Sequence, residues 1–506
     1  MKRCIIIGSG LGGLSTGVVL AREGFDVTIL EQEAQVGGCL QCFTRRSAKF
    51  ETGMHFIGSA RRGQTLDRLL RFLGIADDIT LSPLATDAYD IVRMGDNEFR
   101  FPNGTEALAS RLTEYFPHER RGIQEYIRCV ESVASASSLH TLDLDNANAA
   151  LSTEYQLRSI NEVINSLIGD PTLRDVLVGN LPLYAARRDR TPFSTHAFIV
   201  DFYNKSSFRV AGGSDNIGQA LVRQLERHGG RVLTCSRATR IIDDGTQVRA
   251  VETANGQRYE ADIVVSAIHP VPTLAMTDTP LIRRAFRQRM QTLPNTIGIF
   301  AVYLHFRDQA MPYLASNYYA YRPGFSPWDC EDYTAQDWPR GYLYMHHAHE
   351  LSPQYARAGV ILSYMRFDEV QQWVGTTVGH RGVDYEAMKR NRAEHLIDIV
   401  ESHHPGLRDS ISHYYTSTPL TYLDYTGTPQ GSAYGLAKDI GLGVSTHVPQ
   451  RTKLPGLYLT GQNINSHGIL GVLVGTVVTC SDILGTEYVF NKIRAASNEA
   501  ATPISL

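Results

Sequence analysis

The chain has 506 residues, 43% of them hydrophobic and 20% charged, with a formal net charge of -3. That length exceeds what one simple core organises, so more than one domain is expected. The small net charge gives no reason to expect a nucleic-acid partner, and the longest apolar runs, such as Ile263-Val264-Val265, fall far short of the ~20 residues that span a bilayer.

The first strand is expected at residues 4–7, almost at Met1, which leaves no room for a secretory signal. The seven cysteines are an odd set without framework spacing, which reads as free thiols in a reducing cytoplasm. Residues 14–22 follow as a helix and 25–30 as a second strand ending on Glu31. From about 65 to 190 the pattern turns helical, with Leu66-Leu69-Leu70-Leu73 and Ile160-Val163-Ile164-Leu167 at helical spacing. A second α/β unit follows: Gly212-Gly213, a helix over 216–228, a strand over 231–234, a turn at Asp244-Gly245 and a strand ending at Ser266. Residues 295–365 are rich in Tyr and Phe and alternate over 298–306 and 341–344, which predicts a sheet. Residues 389–403 return to helix. The chain closes with a strand over 456–460, a glycine-studded loop and a helix over about 471–488.

Gly8-Ser9-Gly10-Leu11-Gly12-Gly13 is a G-x-G-x-x-G between a strand and a helix. The first glycine permits the tight turn, the second admits a pyrophosphate to the backbone, and the third lets the helix pack close to the sheet. The helix N-terminus then offers unpaired N–H groups to the phosphates. Glu31 stands where an acid bonds a ribose 2′-hydroxyl and disfavours a 2′-phosphate, with Gln32 beside it. Gly37-Gly38-Cys39 selects FAD over NAD, because a second glycine pair lets the chain pass beneath the larger cofactor. Leu457-Tyr458-Leu459-Thr460-Gly461-Gln462-Asn463 and Gly468-Ile469-Leu470-Gly471 agree: a strand delivers Gln462 and Asn463 to the ribityl-pyrophosphate, and a helix dipole then faces the flavin. Ala238 completes the expected cofactor contacts from the middle of the chain.

These motifs together with Phe50-Glu51-Thr52-Gly53-Met54-His55-Phe56-Ile57-Gly58, Ala211-Gly212-Gly213, Ser417-Thr418-Pro419-Leu420-Thr421 and Gly427-Thr428-Pro429-Gln430-Gly431-Ser432-Ala433-Tyr434-Gly435 resemble the retinol saturase branch of the phytoene desaturase and carotenoid isomerase superfamily. The resemblance touches both ends and the middle, and is weakest over 65–200. Asn463 departs from it, standing where the branch usually has Asp. The resemblance implies a glutathione-reductase-like FAD domain, a substrate domain with an apolar tunnel, and redox or isomerising chemistry at a carbon–carbon double bond of a polyisoprenoid-like molecule.

Reducing such a bond takes a hydride and a proton, and His55, His467 and Tyr434 are the candidate proton sources, the first two preferred. Cys39-Leu40-Gln41-Cys42 reads as small residues beside the flavin rather than a redox dithiol. His346-His347-x-His349 and His403-His404 read as strand-end or surface histidines, with no acid or cysteine to complete a metal set, so no metal is expected. Arg61-Arg62 with Arg68 and Arg71, and Arg283-Arg284 with Arg287 and Arg289, read first as solvated helix faces. Their alternative use is contact with an anionic membrane surface from which an apolar substrate enters. The tyrosines Tyr313, Tyr318, Tyr319, Tyr321, Tyr342 and Tyr344 divide between tunnel lining and sheet core.

The sequence thus reads as an α/β flavoprotein in discontinuous pieces. Residues 1–64, 205–290 and 450–490 are expected to form the FAD domain, 65–204 a helical cap, and 291–449 a substrate domain of mixed sheet and helices. Saturation of a polyene is favoured, with NADPH or another external donor supplying electrons. The rivals are redox-neutral cis/trans isomerisation, flavin amine oxidation, and a non-catalytic flavoprotein.

Overall fold

Cys4, Ile5, Ile6 and Ile7 offer no polar side chain to turn outward, so a strand there must be covered on both faces. The computed structural model, which describes residues 1–145, 147–351 and 353–499, places Arg3–Ile7 at the centre of a five-stranded sheet. Asp26–Leu30 and Arg231–Leu233 lie to one side, Ile263–Ser266 and Leu457–Leu459 to the other, and every pairing is parallel. The strands come from the start, middle and end of the chain, as the three Rossmann pieces require.

The first crossover is the helix Leu11–Arg22, which starts three residues earlier than the expected 14–22 because the turn glycines are themselves helical. It is buried along nearly its whole length, since the helix Gly468–Leu484 covers its outer side. Ser15 Oγ and Thr476 Oγ1 meet there at 2.7 Å. The closing helix runs over Gly468–Leu484 rather than 471–488, and Thr486–Glu499 is a separate helix after it. Gly485, at φ 105°, separates the two.

A seven-stranded sheet forms the second layer, in the order Ile411–Ser417, Gly298–Phe306, Ala358–Met365, Gly341–His346, Asn317–Tyr321, Asp90–Met94 and Asn97–Phe101. Its last two strands, Asp90–Met94 and Asn97–Phe101, add a hairpin to the insertion over 65–204, which the sequence reads as a helical cap. Asp90–Met94 pairs in parallel with Asn317–Tyr321, from the far side of the insertion. Alternation marks only the second strand of the hairpin, Phe99-Arg100-Phe101, whereas Asp90–Met94 is buried over its first three residues and shows none. The largest core cluster accordingly unites the insertion helices with this sheet. Among the described residues, no helix is long and apolar enough to cross a membrane.

The basic clusters are partly spent on the fold. Arg68 donates to the carbonyls of Thr141 and Leu142, Arg71 pairs with Asp67, and Arg287 holds the carbonyls of Leu274 and Thr279.

Several imidazoles are folded in their neutral form. His196 lies between the hydroxyls of Tyr126 and Tyr184, each at 2.8 Å, and burial lowers its pKa to about 3. Burial likewise takes His269 down to about 4 and His467 to about 3. An unfolded imidazole titrates near 6.5, so below that pH the unfolded chain binds more protons and stability falls. The contribution is complete above about pH 6.5 and is lost as the pH drops toward 3, at about 1.4 kcal/mol per pH unit for a fully buried group such as His196. A denaturation midpoint that declines steeply between about pH 6.5 and 4.5 is the expected result; a flat profile there would contradict it.

Candidate active site

At Gly8 the backbone adopts φ 95°, and a Cβ would stand 2.9 Å from Ile268 Cγ2, so the turn accepts glycine alone. A Cβ on Gly12 would meet the Gly461 Cα at 2.9 Å, and one on Gly13 would overlap the Gly8 carbonyl. Gly10 is different. Its φ of -65° and ψ of 175° suit any residue, and no protein atom lies within 4 Å of where its Cβ would be. Nothing in the protein demands a glycine there; the space it leaves belongs to the cavity.

That cavity has a volume of about 730 Å³. Its polar end is bounded by Gly8, Ser9, Gly10, Leu11 and Gly12, with Glu31 and Gln32 beyond the turn and Gly37, Gly38 and Cys39 across from it. The backbone at Gly37 bridges to Gly10. Ala238, between Arg237 and Thr239, supplies a further wall. Gly461, Gln462, Asn463, Gly468 and Ile469 close the opposite side. Gly13 and Leu470, expected with these, stand behind the lining: Gly13 sits under the turn, and Leu470 packs into the core beside the helix Leu11–Arg22. The N-cap of that helix carries no side-chain hydrogen bond, so its first N–H groups are left for an anion, as at phosphate-binding helix ends. The donor set and the space at Gly10 fit an adenine dinucleotide.

Two of the polar residues also serve the protein. Glu31 Oε2 accepts from the Ser9 N–H at 2.9 Å and the Ser9 hydroxyl at 2.5 Å, and Oε1 accepts from Glu33 N at 2.9 Å. Its carboxylate therefore braces the glycine turn as well as facing the cavity. Asn463 Oδ1 accepts from Leu436 N at 2.9 Å, a contact that an amide makes as readily as a carboxylate.

The other end of the cavity lies on the seven-stranded sheet, against Ile299, Ala301, Leu343, Met345 and Leu362. Pro182 and Leu183 close it from the insertion. Three tyrosines clamp that segment to the sheet side: Tyr321 donates to Gly179 O at 2.5 Å, Tyr434 to Pro182 O at 2.9 Å, and Tyr364 to Leu181 O at 3.5 Å. Tyr434 is thereby removed as a proton source, its hydroxyl committed to a carbonyl and its pKa pushed up by burial. Of the six tyrosines divided from sequence between tunnel lining and sheet core, Tyr342 alone lines the cavity; Tyr319 and Tyr344 are buried in the sheet core. The lining instead includes Tyr203, Tyr303, Tyr364, Tyr422, Tyr425 and Tyr434. Alternation marks a strand's two faces but not which face meets the cavity.

His55 lines the cavity while 7% exposed. His467 does not reach the lining: it packs against the Tyr434 ring at 4.9 Å, and neither ring nitrogen has a partner. Cys39 faces the cavity, yet burial raises its thiol to about 11. Cys42 is raised to about 12, chiefly by burial, and its sulfur contacts Ser214 Oγ at 3.4 Å. Neither is a thiolate near neutrality, and every cysteine is free.

The histidine pair on the sheet needs correction. His346 ends its strand buried, accepting from Leu314 N at 2.9 Å and meeting the Tyr344 hydroxyl at 2.5 Å. His347 is equally buried, and an acid does reach it: Glu51 Oε2 lies 2.8 Å from its Nδ1. Glu51, His55 and His347 bring their donor atoms within 4.8 Å of one another. Chain spacing could not reveal this, because Glu51 and His347 are 296 residues apart.

A model of the family described as flavin containing amine oxidoreductase matches residues 11–473. All-trans-retinol 13,14-reductase of Homo sapiens is 27% identical over 521 residues, covering 95% of this chain and 85% of that protein. Chloroplastic prolycopene isomerase 2 of an Oncidium hybrid cultivar is 22% identical over 517 residues, covering 96% and 84%. An oxidoreductase from Methanosarcina mazei superposes with a TM-score of 0.63 at 15% identity, covering 95% of this chain and 100% of that one. These matches bear out the resemblance to the retinol saturase branch and the α/β flavoprotein fold.

Proposed function

The chain belongs to the flavin containing amine oxidoreductase family and is an FAD-dependent oxidoreductase; from that premise we propose that it saturates a carbon–carbon double bond of a long apolar, isoprenoid or polyene molecule. The observation that carries this reading is one continuous cavity, polar at the glycine turn and apolar on the sheet, with His55 in its wall. The 27% identity to a retinol reductase across nearly the whole chain supports the same chemistry.

In this reading the turn from Gly8 to Gly13 seats the pyrophosphate, Glu31 and Gln32 hold the ribose side, and Gly37, Gly38, Cys39 and Ala238 flank the nucleotide. Gln462, Asn463, Gly468 and Ile469 meet the flavin half, with Leu470 supporting them from behind. The segments 1–64, 205–290 and 450–490 act as the FAD domain. FAD, when bound, supplies hydride transfer to or from carbon. His55 holds a proton at the cavity wall and delivers it to the carbon next to the one reduced. Ile299, Ala301, Leu343, Met345 and Leu362 hold the chain of the substrate and exclude water around it. Glu31, at the nucleotide end, is the only carboxylate in the lining among the described residues, so the apolar end has no counter-ion for an amine substrate. In this proposal the protein works in the cytoplasm, with peripheral contact to a membrane surface as its route to an apolar substrate and NADPH or another external donor as its electron source.

Anaerobic titration tests the proposal. Reduced enzyme mixed with a panel of polyenes, enones and amines is expected to reoxidise with a polyene, the product gaining two hydrogens. Ala301→Trp should keep its flavin and lose at least about tenfold in that reaction, because an indole fills the apolar end. Product of unchanged mass would replace saturation with isomerisation. Reoxidation by oxygen alone, whatever apolar acceptor is present, would overturn both.

A further inference from the structure

Glu51 ends the strand Ala48–Glu51, His55 follows four residues later, and His347 comes directly after the strand Gly341–His346. The Glu51 Oε2 atom is 2.8 Å from His347 Nδ1 and 3.6 Å from His55 Nδ1, and the side chains are 4%, 2% and 7% exposed respectively. Burial would push the Glu51 carboxyl up, yet the imidazoles of His347 and His55 outweigh it and hold the group near 2. A carboxylate is thus kept ionised between two buried rings.

The separations decide what this cluster is. Two ligands on one tetrahedral ion, bonded at ~2.0–2.1 Å, stand about 3.3 Å apart. The 2.8 Å between Glu51 and His347 is instead a hydrogen bond to a charged acceptor. His347 Nδ1 must carry the proton to make it. His55 turns the same nitrogen toward the same oxygen at 3.6 Å, longer than a hydrogen bond, and that nitrogen has no other partner among the described residues. A catalytic hydrogen bond of this kind tightens when the site is loaded, and Nε2 is the ring atom left for the cavity.

We propose that Glu51 and His347 are positioning residues that act through His55: His347 Nδ1–H anchors the Glu51 carboxylate, and that carboxylate takes the Nδ1–H of His55, so that Nε2 exchanges the proton with the substrate. This rests on the reductase reading above. In the reductive step the Nε2–H bond of the imidazolium breaks as a C–H bond forms at one carbon of the double bond. The other carbon receives the hydride from the reduced cofactor, which is thereby oxidised. His55 is left neutral, still donating Nδ1–H to Glu51, and Nε2 regains its proton from water between turnovers. The arrangement is the carboxylate–imidazole pair of acyl-transfer enzymes, used here for proton delivery.

The groups facing His55 have opposing effects. Burial lowers its pKa, Glu51 on one side raises it, and His347 and the buried Arg209 lower it. Removing Glu51 therefore disfavours the imidazolium, whereas removing His347 takes away a neighbour that lowers the pKa of His55.

Stopped-flow reoxidation of reduced enzyme by a polyene, followed across pH, tests this in Glu51→Gln and His347→Gln. The wild-type rate should fall as the pH rises. Glu51→Gln should lose at least about tenfold and move the falling limb to lower pH; His347→Gln should move it to higher pH with a smaller loss. A purely structural cluster would lower the melting temperature and leave both limbs in place, which overturns the proposal. A second readout does not need the substrate. In ¹⁵N-histidine-labelled protein, with the His55 signal assigned through His55→Gln, neutral His55 should be the Nδ1–H tautomer in wild type and lose that preference in Glu51→Gln. An Nε2–H tautomer in wild type, or one equivalent of tightly bound metal quenching these signals, defeats the inference even if a polyene is reduced. Failure of every polyene with the Nδ1–H tautomer intact defeats the reductase reading and leaves the hydrogen-bonded arrangement standing.

Discussion

Gly10→Val is expected to yield a folded, colourless protein. The backbone at Gly10, φ -65° and ψ 175°, accommodates valine, and the added Cβ meets no protein atom within 4 Å. The melting temperature should therefore stay within a few degrees of wild type, on the order of the ±0.5 kcal/mol of a neutral surface change. The side chain instead projects into the cavity at the N-terminus of the helix Leu11–Arg22, where the unpaired N–H groups await phosphate. Flavin affinity should fall by at least about 100-fold, since the second glycine of this turn is what admits the pyrophosphate. Gly13→Val provides the contrast. Its Cβ would overlap the Gly8 carbonyl, a backbone atom that cannot swing aside, and overpacking of this kind costs about 1–3 kcal/mol or more. Flavin absorbance and thermal melting, read on the same two preparations, separate loss of cofactor from loss of fold. A yellow Gly10→Val protein would remove the dinucleotide from this turn.

The second large effect is expected at His55. Replacement by glutamine preserves size and hydrogen-bonding capacity but cannot be protonated near neutrality. Flavin should remain bound, while polyene-dependent reoxidation falls by about 10²–10⁴, the usual worth of a positioned general acid. His467→Gln should change that rate by less than about threefold, because the ring sits behind Tyr434 and outside the lining. Equal losses in the two variants would point to a common effect on the fold rather than to proton delivery by His55. The sign of the pH dependence follows from the same geometry. The imidazolium is the working form, and burial lowers the pKa of His55, so activity should be greatest on the acid side and decline as pH rises. The stability contributed by His196 and the other buried histidines runs the opposite way, and the measurable optimum is set where the two meet.

The nucleotide end was legible in the amino-acid sequence because its instructions are local. A strand of four apolar residues, three glycines at fixed offsets and an acid at the end of the next strand lie within the first 31 positions, and each is required by backbone geometry within a few residues of itself. The second glycine pair and the C-terminal Gly461-Gln462-Asn463 follow the same logic, and the cavity wall contains them. The strands Asp90–Met94 and Asn97–Phe101 were not legible: they are short, lie in a stretch whose stronger apolar spacing is helical, and are stabilised by pairing with a strand more than two hundred residues later. The tyrosine clamps over Gly179, Leu181 and Pro182 escaped for the same reason, since a hydroxyl's acceptor is chosen by packing and not by spacing.

The amino-acid sequence alone determined that a dinucleotide-binding turn exists, where it begins, and that the sheet around it is rebuilt from distant segments. Only the tertiary structure decided that His55 and not His467 reaches the cavity, and that Glu51 meets a histidine 296 positions away. The physical reason is that φ/ψ preferences and apolar periodicity act within a few residues, whereas the neighbours of a buried charge depend on how whole sheets pack and register against one another.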